Sequence, residues 1–490
     1  MMKAKRSKED YTAFDQLYTR RIADVERREI VSCPWNTPVF LAARQMAVHK
    51  VSCLFVREGE RITGYVTDIT LRDKIVALQG DSNQPVARVM DTPIVTISPD
   101  AYVYEALLMM LRTKTRYLLV ERDGVYAGFL SRNKLLAEQA QSPLVFVQSV
   151  KLAVSDEELK RKWETVPGIL AQLLERGVNA RIANQVITTV ADTIAIKVIE
   201  GVIDLLGPPP ARFVFMVLGS EGRKEQTLKT DQDNAIIYED KAGEHREAVR
   251  AYFLDLAERV SQRLDSIGFS FCQGEYMAKN PRWTHSLSHW KGNYERWMQE
   301  TLPENAIQFS TFFDVRCLYG DEDILRELQA FLDEELEKPH EKLFAVMAQN
   351  ALQYEPPLSF FKNRISTITQ GEQEGFNIKK AMTPIVDLVR VYALKHRIFE
   401  VNTGERLRAL RDKGAFSDTE FHELDQSYYL LMGMRLGRQA SRIIRDHARP
   451  DNFIALDSLT RIEQRTLREV FRTIEHFQEK IRVGFTNHLF

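Results

Sequence analysis

Four cysteines in 490 residues are too few and too scattered for a disulfide framework, which excludes a small disulfide-stapled secreted protein. Neither sign of charge dominates, since 67 lysines and arginines stand against 68 aspartates and glutamates. A neutral chain lacks the field that steers proteins to nucleic acids or anionic membranes, so we expect neither as a partner. No run reaches the ~18–20 apolar residues of a membrane span, and no apolar core follows the basic start, so a cytoplasmic location is expected.

The sequence does have the composition of a chain with several packed cores. Hydrophobic residues make up 44% and charged residues 28%, which is typical of globular proteins. The length of 490 residues predicts about three domains.

An internal repeat occupies the first third of the chain. Residues 31–72 recur at 95–136 with a constant offset of 64, so that Gly64 matches Gly128. Each copy reads as a proline-containing turn, a helix and two short strands, which favours an α/β fold. Over residues 28–140 this duplicated pattern resembles a tandem pair of cystathionine-beta-synthase (CBS) domains.

The resemblance implies a regulatory module that binds adenine nucleotides between its copies and forms homodimers. In such domains a carboxylate three residues after the Thr or Ser of the second strand holds the ribose hydroxyls. Thr67 and Ser131 occupy the Thr/Ser position, but Thr70 and Lys134 stand where the carboxylate is expected. Two roles therefore remain open: nucleotide sensing, or a module kept for dimerisation and domain packing.

A glycine turn and two spaced carboxylates form the most informative stretch of the chain. An apolar run predicts a buried strand over 213–218, which leads into Gly219 and Ser220. Glycines at a strand end let backbone N–H groups approach a phosphate. If a second strand extends back to Asp231, its period of two places Asp231 and Asp233 on one face. Adjacent carboxylates repel unless a cation lies between them, and hard oxygen ligands suit Mg²⁺ or Mn²⁺ with substrate phosphates.

A third carboxylate is expected on a neighbouring strand. Asp314 is isolated in the apolar, β-prone run 309–318. An aspartate in a buried strand needs an ionic partner or a metal, so we predict that Asp314 meets the first two carboxylates. The alternative is an ion pair with Arg316, two residues on and on the same face.

This constellation resembles the signature of the DNA polymerase beta superfamily of nucleotidyltransferases: Gly-Ser, ten intervening residues, Asp-x-Asp and a distant strand Asp. The longer string LGSEGRKEQTLKTDQDNA resembles a bacterial family of nucleotidyltransferases that carry CBS domains and are related to the protein-PII uridylyltransferases. By this resemblance, Asp231, Asp233 and Asp314 are catalytic and hold two divalent metals. The substrate is a nucleoside triphosphate, and the acceptor is a protein or a small molecule.

Six residues are candidate nucleotide contacts: Gly219, Ser220, Arg223, Lys224, Lys279 and Arg282. The glycine and the serine are expected to grip the triphosphate, and the first two basic residues to neutralise it. A solvated helix face is the alternative for those two basic residues. Cys272, His285 and His289 include an i,i+4 histidine pair but lack a fourth ligand, so no zinc site is expected.

The last 150 residues read as all helix, with start signals at 383–384, 417–420 and 460–463. A helical bundle is the natural packing, and the resemblance implies a substrate-binding domain that faces the catalytic cleft. Five charged residues are candidates to face a nucleotide or acceptor: Lys379, Lys380, Asp387, Arg390 and Arg406. An ordinary i,i+3 ion pair is the favoured interpretation of Asp387 and Arg390.

The prediction is a multidomain chain, α/β plus all-α. It comprises an N-terminal helical segment (1–27), tandem CBS domains (28–140), a polymerase-beta-type nucleotidyltransferase domain with leading helices (141–335) and a helical substrate-binding bundle (336–490). The main hypothesis is a Mg²⁺-dependent nucleotidyltransferase regulated through the CBS pair. The alternative is a non-catalytic nucleotide-sensing signalling protein that uses both folds as binding modules. The enzymatic hypothesis requires the three aspartates to meet.

Overall fold

The computed structural model describes residues 20–25, 27–137, 143–240, 245–300, 310–359, 364–370 and 373–485. The chain divides into two compact units, Met1–Gln148 and Ser149–Phe490. Most of the predicted helical segment 1–27 lies outside the described residues. Among the helices of the described ranges, none combines the length and the apolar character that a membrane crossing requires.

The repeat folds as two copies of one α/β unit. In each copy a short strand runs parallel to a second strand, which pairs antiparallel with a third. The strands are β1 (Ser32–Pro34), β2 (Cys53–Glu58), β3 (Arg61–Thr67), β4 (Thr96–Ile97), β5 (Tyr117–Arg122) and β6 (Val125–Ser131), and the helices are α1 (Val39–His49), α2 (Asp68–Leu71), α3 (Val103–Arg112) and α4 (Arg132–Ala137). Even the strand register repeats, since Cys53 lies opposite Thr67 and Tyr117 lies opposite Ser131. The predicted α/β repeat is confirmed.

Threonine takes the place of the expected ribose-holding carboxylate in the first copy, and it is held by its own neighbours. Thr70 is buried, and its hydroxyl donates to Asp91 Oδ2 at 2.5 Å. The backbone N–H of Thr70 donates to Thr67 Oγ1 at 3.0 Å, which caps α2. Lys74 Nζ lies 2.7 Å from the other oxygen of Asp91. This corner of the module is therefore closed by internal hydrogen bonds.

The second unit is mainly helical. Its helices are α5 (Pro143–Lys151, which spans the boundary between the units), α6 (Asp156–Glu175), α7 (Ala180–Leu206), α8 (Gly219–Gly222), α9 (Arg246–Ile267), α10 (Leu287–Gln299), α11 (Glu322–Glu335), α12 (Glu341–Ala351), α13 (Ile378–Lys395), α14 (Thr403–Asp412), α15 (Asp418–Ile444) and α16 (Arg461–Phe485). The predicted N-caps of α15 and α16 are confirmed, because Ser417 Oγ accepts from Glu420 N and Thr460 Oγ1 accepts from Glu463 N.

A four-stranded mixed sheet forms the centre of this unit. Its order is β11 (Thr284–Ser286), β9 (Asn234–Tyr238), β7 (Phe213–Val217) and β12 (Arg316–Gly320). Every residue of β7 and β9 is buried, as their continuous apolar runs predict. A separate parallel pair joins β8 (Asp231–Gln232) to β10 (Ser270–Phe271) just before β9 begins.

Two details of the C-terminal region differ from the sequence prediction. It is not all helix, because β13 (Ile368–Gln370), β14 (Gln373–Asn377) and β15 (Phe453–Ala455) form a small antiparallel sheet. The helix start predicted at 383–384 is also wrong, since Pro384 lies inside α13. Asn377 caps α13 instead, and Ile378 N donates to Asn452 O at 2.9 Å. Tertiary pairing of β14 with β15 thus sets the helix start and outweighs the local Thr-Pro signal.

Candidate active site

The glycine turn lies directly against one of the two carboxylates. Gly219 follows β7 at φ +55°, a left-handed conformation that glycine adopts without strain. The backbone N–H of Leu218 donates to Asp233 O at 2.9 Å. A Cβ at Gly219 would lie 3.3 Å from Asp233 Oδ2. The missing side chain therefore allows the turn to approach the carboxylate closely.

Alternation along the chain places Asp231 and Asp233 on the same side. Asp233 lies in the gap between β8 and β9, and the residues next to it point inward. Gln232 is buried and its Nε2 donates to Ser261 O at 3.0 Å. Asn234 is also buried, and its Oδ1 accepts from Ala278 N at 2.8 Å. With these two amides fixed on the inner side, the two carboxylates share the outer side.

A cysteine completes this group, which the sequence does not indicate. β10 pairs with β8 so that Ser270 lies beside Asp231, and the next residues carry Cys272 to Asp233. One ligand atom from each of Asp231, Asp233 and Cys272 lies within 4.8 Å of the others, and no other such group of three occurs in the described residues.

The electrostatics of the group identify which atoms a divalent cation could use. Burial and the charge of Asp231 raise the pKa of Asp233 to about 7. Burial and Asp233 raise the pKa of the Cys272 thiol to about 12, so the thiol stays protonated at neutral pH. Two neighbouring carboxylates disfavour each other's charge, and a cation between them would remove that cost. The carboxylate oxygens are hard donors that fit Mg²⁺ or Mn²⁺, whereas a neutral thiol is no ligand for them.

Asp314 does not belong to this group, so the predicted meeting of three carboxylates is wrong. Residues 310–312 form a helical turn, and β12 begins only at Arg316, so Asp314 precedes the strand on which it was expected. The alternative partner is wrong as well, because Arg316 Nη2 donates to Asp192 Oδ1 at 2.6 Å.

Three arginines surround the fully buried Asp314 carboxylate. Oδ2 accepts from Arg223 Nη1 and from Arg390 Nη2, both at 2.5 Å. Oδ1 accepts from Arg406 Nη1 at 2.6 Å and from Arg390 Nε at 3.0 Å. Burial raises the pKa of Asp314, but the three guanidinium groups outweigh it and hold that pKa well below its usual range. Arg390 also donates to Asp387 at 2.5 Å, so the expected i,i+3 pair is present within this larger network.

Arg223 is therefore held inside the protein and does not face a cleft. Its Nε donates to Glu225 at 2.7 Å, its Nη1 is bound to Asp314, and its side chain is 12% exposed. The charge is already balanced, so the structure supports neither triphosphate neutralisation by Arg223 nor a solvated helix face. Arg223 directly follows the glycine turn α8, so the arginine network around Asp314 is connected to the end of that turn.

The other candidate nucleotide contacts have varied surroundings. Ser220 lies half-buried in α8, and Lys224 follows at φ +58°. Lys279 Nζ stands 3.8 Å from the centre of the Phe271 ring, close to Cys272 in the chain. The exposed Arg282 guanidinium lies 5.2 Å from the centre of the Trp283 ring.

Two cations of the C-terminal helices interact electrostatically with Asp231 and Asp233, which we call the acid pair. Burial lowers the pKa of Lys379, and the negative charges of the acid pair oppose that shift. Burial also lowers the pKa of Arg435, and the charge of Asp231 opposes it. Sequence reasoning named Lys379 but missed Arg435. The sequence did contain a signal for Arg435, because this residue continues the apolar stripe of α15 that includes Leu424 and Leu431. A charged residue on an apolar stripe indicates a buried charge with a functional role.

A tight backbone contact joins the glycine turn to Asp314. A Cβ at Gly222 would lie 1.8 Å from Asp314 O, so we expect Gly222→Ala to destabilise this unit by about 1–3 kcal/mol or more. Urea unfolding followed by tryptophan fluorescence measures this change. Gly292→Ala in α10 is the matched control, since nothing lies within 4 Å of its Cβ and a gain of about 0.4–1 kcal/mol is expected. Equal effects of both substitutions would contradict the contact.

Three family models match the chain, and they bear out the predicted fold class. The CBS domain model matches residues 22–77 and 86–140. The model described as "Putative nucleotidyltransferase DUF294" matches residues 164–304, and "Putative nucleotidyltransferase substrate binding domain" matches residues 341–485. The chain thus carries a CBS pair, a nucleotidyltransferase-type domain and the C-terminal domain that accompanies it. Asp231, Asp233 and Cys272 lie within the second match, and Asp314 lies between the second and the third.

Solved structures resemble parts of this chain. A conserved protein from Pyrococcus horikoshii is 20% identical, covers 26% of this chain and 95% of its own, and gives a TM-score of 0.24. A signal-transduction protein with CBS domains from Burkholderia ambifaria is 24% identical, with 25% and 93% covered and a TM-score of 0.23. A CBS domain protein from Pyrobaculum aerophilum, solved with AMP, is 23% identical, with 25% and 99% covered and a TM-score of 0.22. No curated protein matches the chain.

Proposed function

We propose that this protein is a divalent-metal-dependent nucleotidyltransferase that moves a nucleoside monophosphate from a nucleoside triphosphate to a protein or small-molecule acceptor, in the manner of a protein-PII uridylyltransferase. The observation that carries the proposal is the outward pair Asp231 and Asp233 beside the Gly219 turn. This arrangement lies in the stretch matched by the nucleotidyltransferase model.

The donor set fits Mg²⁺ or Mn²⁺, with Asp231 and Asp233 as the protein ligands. A bound cation of this kind stabilises charge on phosphate oxygens and activates an attacking oxygen. Two protein carboxylates suffice for Mg²⁺, because substrate phosphates and water fill the rest of an octahedral shell. The proposed metal site therefore needs only Asp231 and Asp233 as protein ligands and does not include Asp314.

The proposed reaction is an in-line displacement at the α-phosphorus. An acceptor oxygen forms the new bond, the bond to the β-phosphate oxygen breaks, pyrophosphate leaves, and the acceptor proton passes to solvent. The chain contributes position and charge: the glycine turn admits the phosphates beside Asp233, and the half-buried Ser220 offers a hydroxyl at the same turn. Asp314 acts as a positioning residue in this proposal, since it binds Arg223, which directly follows the glycine turn.

We propose that the CBS pair regulates this activity and joins two copies of the chain. Large apolar side chains support a self-association surface on the first copy of the repeat, where Trp35 is 47% exposed, Phe40 45%, Val76 72% and Leu78 74%. Light scattering on the full chain is expected to give a dimer, and Phe40→Glu with Leu78→Glu is expected to give a monomer. A monomeric wild-type chain would contradict this part of the proposal.

A second candidate function is a non-catalytic nucleotide-sensing protein that uses both folds as binding modules. It is favoured by one observation, namely that the third predicted carboxylate is occupied by three arginines. Incubation with each α-labelled nucleoside triphosphate, Mg²⁺ and cell extract separates the two functions. Label transferred to a protein or a metabolite supports the enzyme. Measurable triphosphate binding with no transfer from any of the four would support the sensor.

A further inference from the structure

Asn452 anchors the Arg435 side chain and the start of α13, where Lys379 lies. Its Oδ1 accepts from Arg435 Nε at 2.9 Å. Its backbone oxygen accepts from Ile378 N at 2.9 Å, immediately before Lys379. One loop residue thus fixes both the guanidinium on α15 and the first turn of α13.

The same residue is linked to the segment that leads into Asp231 and Asp233. Gln439 Nε2 donates to Asn452 Oδ1 at 2.9 Å, and Gln439 Oε1 accepts from Lys229 N at 3.3 Å. Lys229 precedes Asp231 by two residues. A short chain of hydrogen bonds therefore holds Arg435 in a defined place relative to the acid pair.

Arg435 is buried and makes no direct ion pair within the described residues. Only 8% of the residue is exposed, and within the described ranges its Nη1 and Nη2 atoms have no hydrogen-bond or ion-pair partner. By contrast, Arg223, Arg390 and Arg406 are all paired with carboxylates. Burial lowers the pKa of Arg435 to about 10, and the charges of Glu225 and Asp231 offset only part of that effect. A buried charge without a direct ion pair is costly, and a bound anion would offset that cost.

We propose that Arg435 and Lys379 form a polyphosphate subsite that binds the β- and γ-phosphates of the nucleotide. This inference rests on the proposed function and assigns to the C-terminal helices the role first expected of Arg223. Cations beside two carboxylates match the alternating charge of a metal-bound polyphosphate, with the metal on the acid pair and the phosphate oxygens on the basic pair. The two free Nη groups form the planar fork that recognises phosphate bidentately.

Titration of the full-length chain with Mg²⁺ and inorganic tripolyphosphate tests the subsite without requiring any transfer activity. We expect the wild-type chain to bind, and Arg435→Met and Lys379→Met each to weaken binding about 10- to 100-fold. Arg435→Lys should recover part of the loss, because it restores the charge but not the fork. Arg445→Met is a surface control that should bind as the wild type does, since that side chain is 74% exposed. Since Lys379 is partly exposed, its variant remains informative even if the Arg435 variant folds poorly.

The outcomes separate this inference from the proposed function. Unchanged tripolyphosphate binding in Lys379→Met and Arg435→Met, or no binding by the wild type, would overturn the subsite even if nucleotide transfer is observed. Weakened binding in both variants supports the subsite. If that result is accompanied by no transfer from any triphosphate, the subsite stands and the transferase proposal fails.

Discussion

Replacing Asp314 with asparagine is expected to lower the free energy of unfolding of the Ser149–Phe490 unit by about 3–5 kcal/mol. The loss is large because the carboxylate is fully buried and is the shared partner of Arg223, Arg390 and Arg406. Without its charge, three buried guanidinium groups lose their common counter-ion. Guanidinium chloride unfolding followed by tryptophan fluorescence measures the change, since Trp163 and three other tryptophans lie in this unit.

Asp265→Asn is the control for this experiment. Asp265 is an exposed carboxylate near the end of α9, and its substitution should change stability by no more than about 0.5 kcal/mol. A similar small change for Asp314→Asn would show that the network does not stabilise the fold.

The pH dependence of stability, compared between the wild type and Asp314→Asn, gives an independent check. The pKa of Asp314 is depressed in the folded chain, below the value of about 3.9 expected after unfolding. The contribution of Asp314 to the free energy of unfolding is therefore fully present above its unfolded-state pKa. That contribution is lost as the pH falls toward the lower folded-state pKa. The stability difference between wild type and Asp314→Asn should stay constant from pH 7 to about pH 5 and shrink below about pH 4.

Replacing both Asp231 and Asp233 with asparagine is expected to reduce nucleotide transfer by more than about a thousandfold. The two carboxylates are the proposed metal ligands, and no other group of three His, Cys, Asp or Glu in the described chain offers a substitute. The fold should survive, because Asp231 is exposed and burial already disfavours the charge of Asp233. Label transfer from an α-labelled triphosphate measures the effect.

Asp240→Asn is the matched control for the double variant. Asp240 follows the far end of β9, where its carboxylate accepts from Ser288, and it belongs to no cluster with the acid pair. This variant should transfer label as the wild type does. Wild-type transfer by the Asp231/Asp233 double variant would remove the acid pair from the mechanism.

Local patterns predicted the repeat correctly, and they also predicted that Asp231 and Asp233 lie on the same side of the chain. The offset of 64 residues reappears in the register that pairs Cys53 with Thr67 and Tyr117 with Ser131, because equal sequences form equal hairpins. Period-two alternation is enough to place Asp231 and Asp233 on one face, because the buried amides of Gln232 and Asn234 occupy the opposite face.

Long-range pairing was beyond the reach of sequence reasoning. Asp314 reads as a strand residue, yet its partners Arg390 and Arg406 come from helices far along the chain. Cys272 reaches Asp233 only through the pairing of β10 with β8. Neither contact leaves a periodic signal, because each depends on how separate elements pack.

Binding of Mn²⁺ to the full-length chain, followed by electron paramagnetic resonance, tests the acid pair most directly because it needs no knowledge of the acceptor. We predict that the wild-type chain binds Mn²⁺, more tightly with a non-hydrolysable nucleoside triphosphate, and that the Asp231→Asn, Asp233→Asn double variant loses this binding while it stays folded. Equal Mn²⁺ binding by both proteins, or none by the wild type with the nucleotide, would contradict the assignment of a metal-dependent nucleotidyltransferase site.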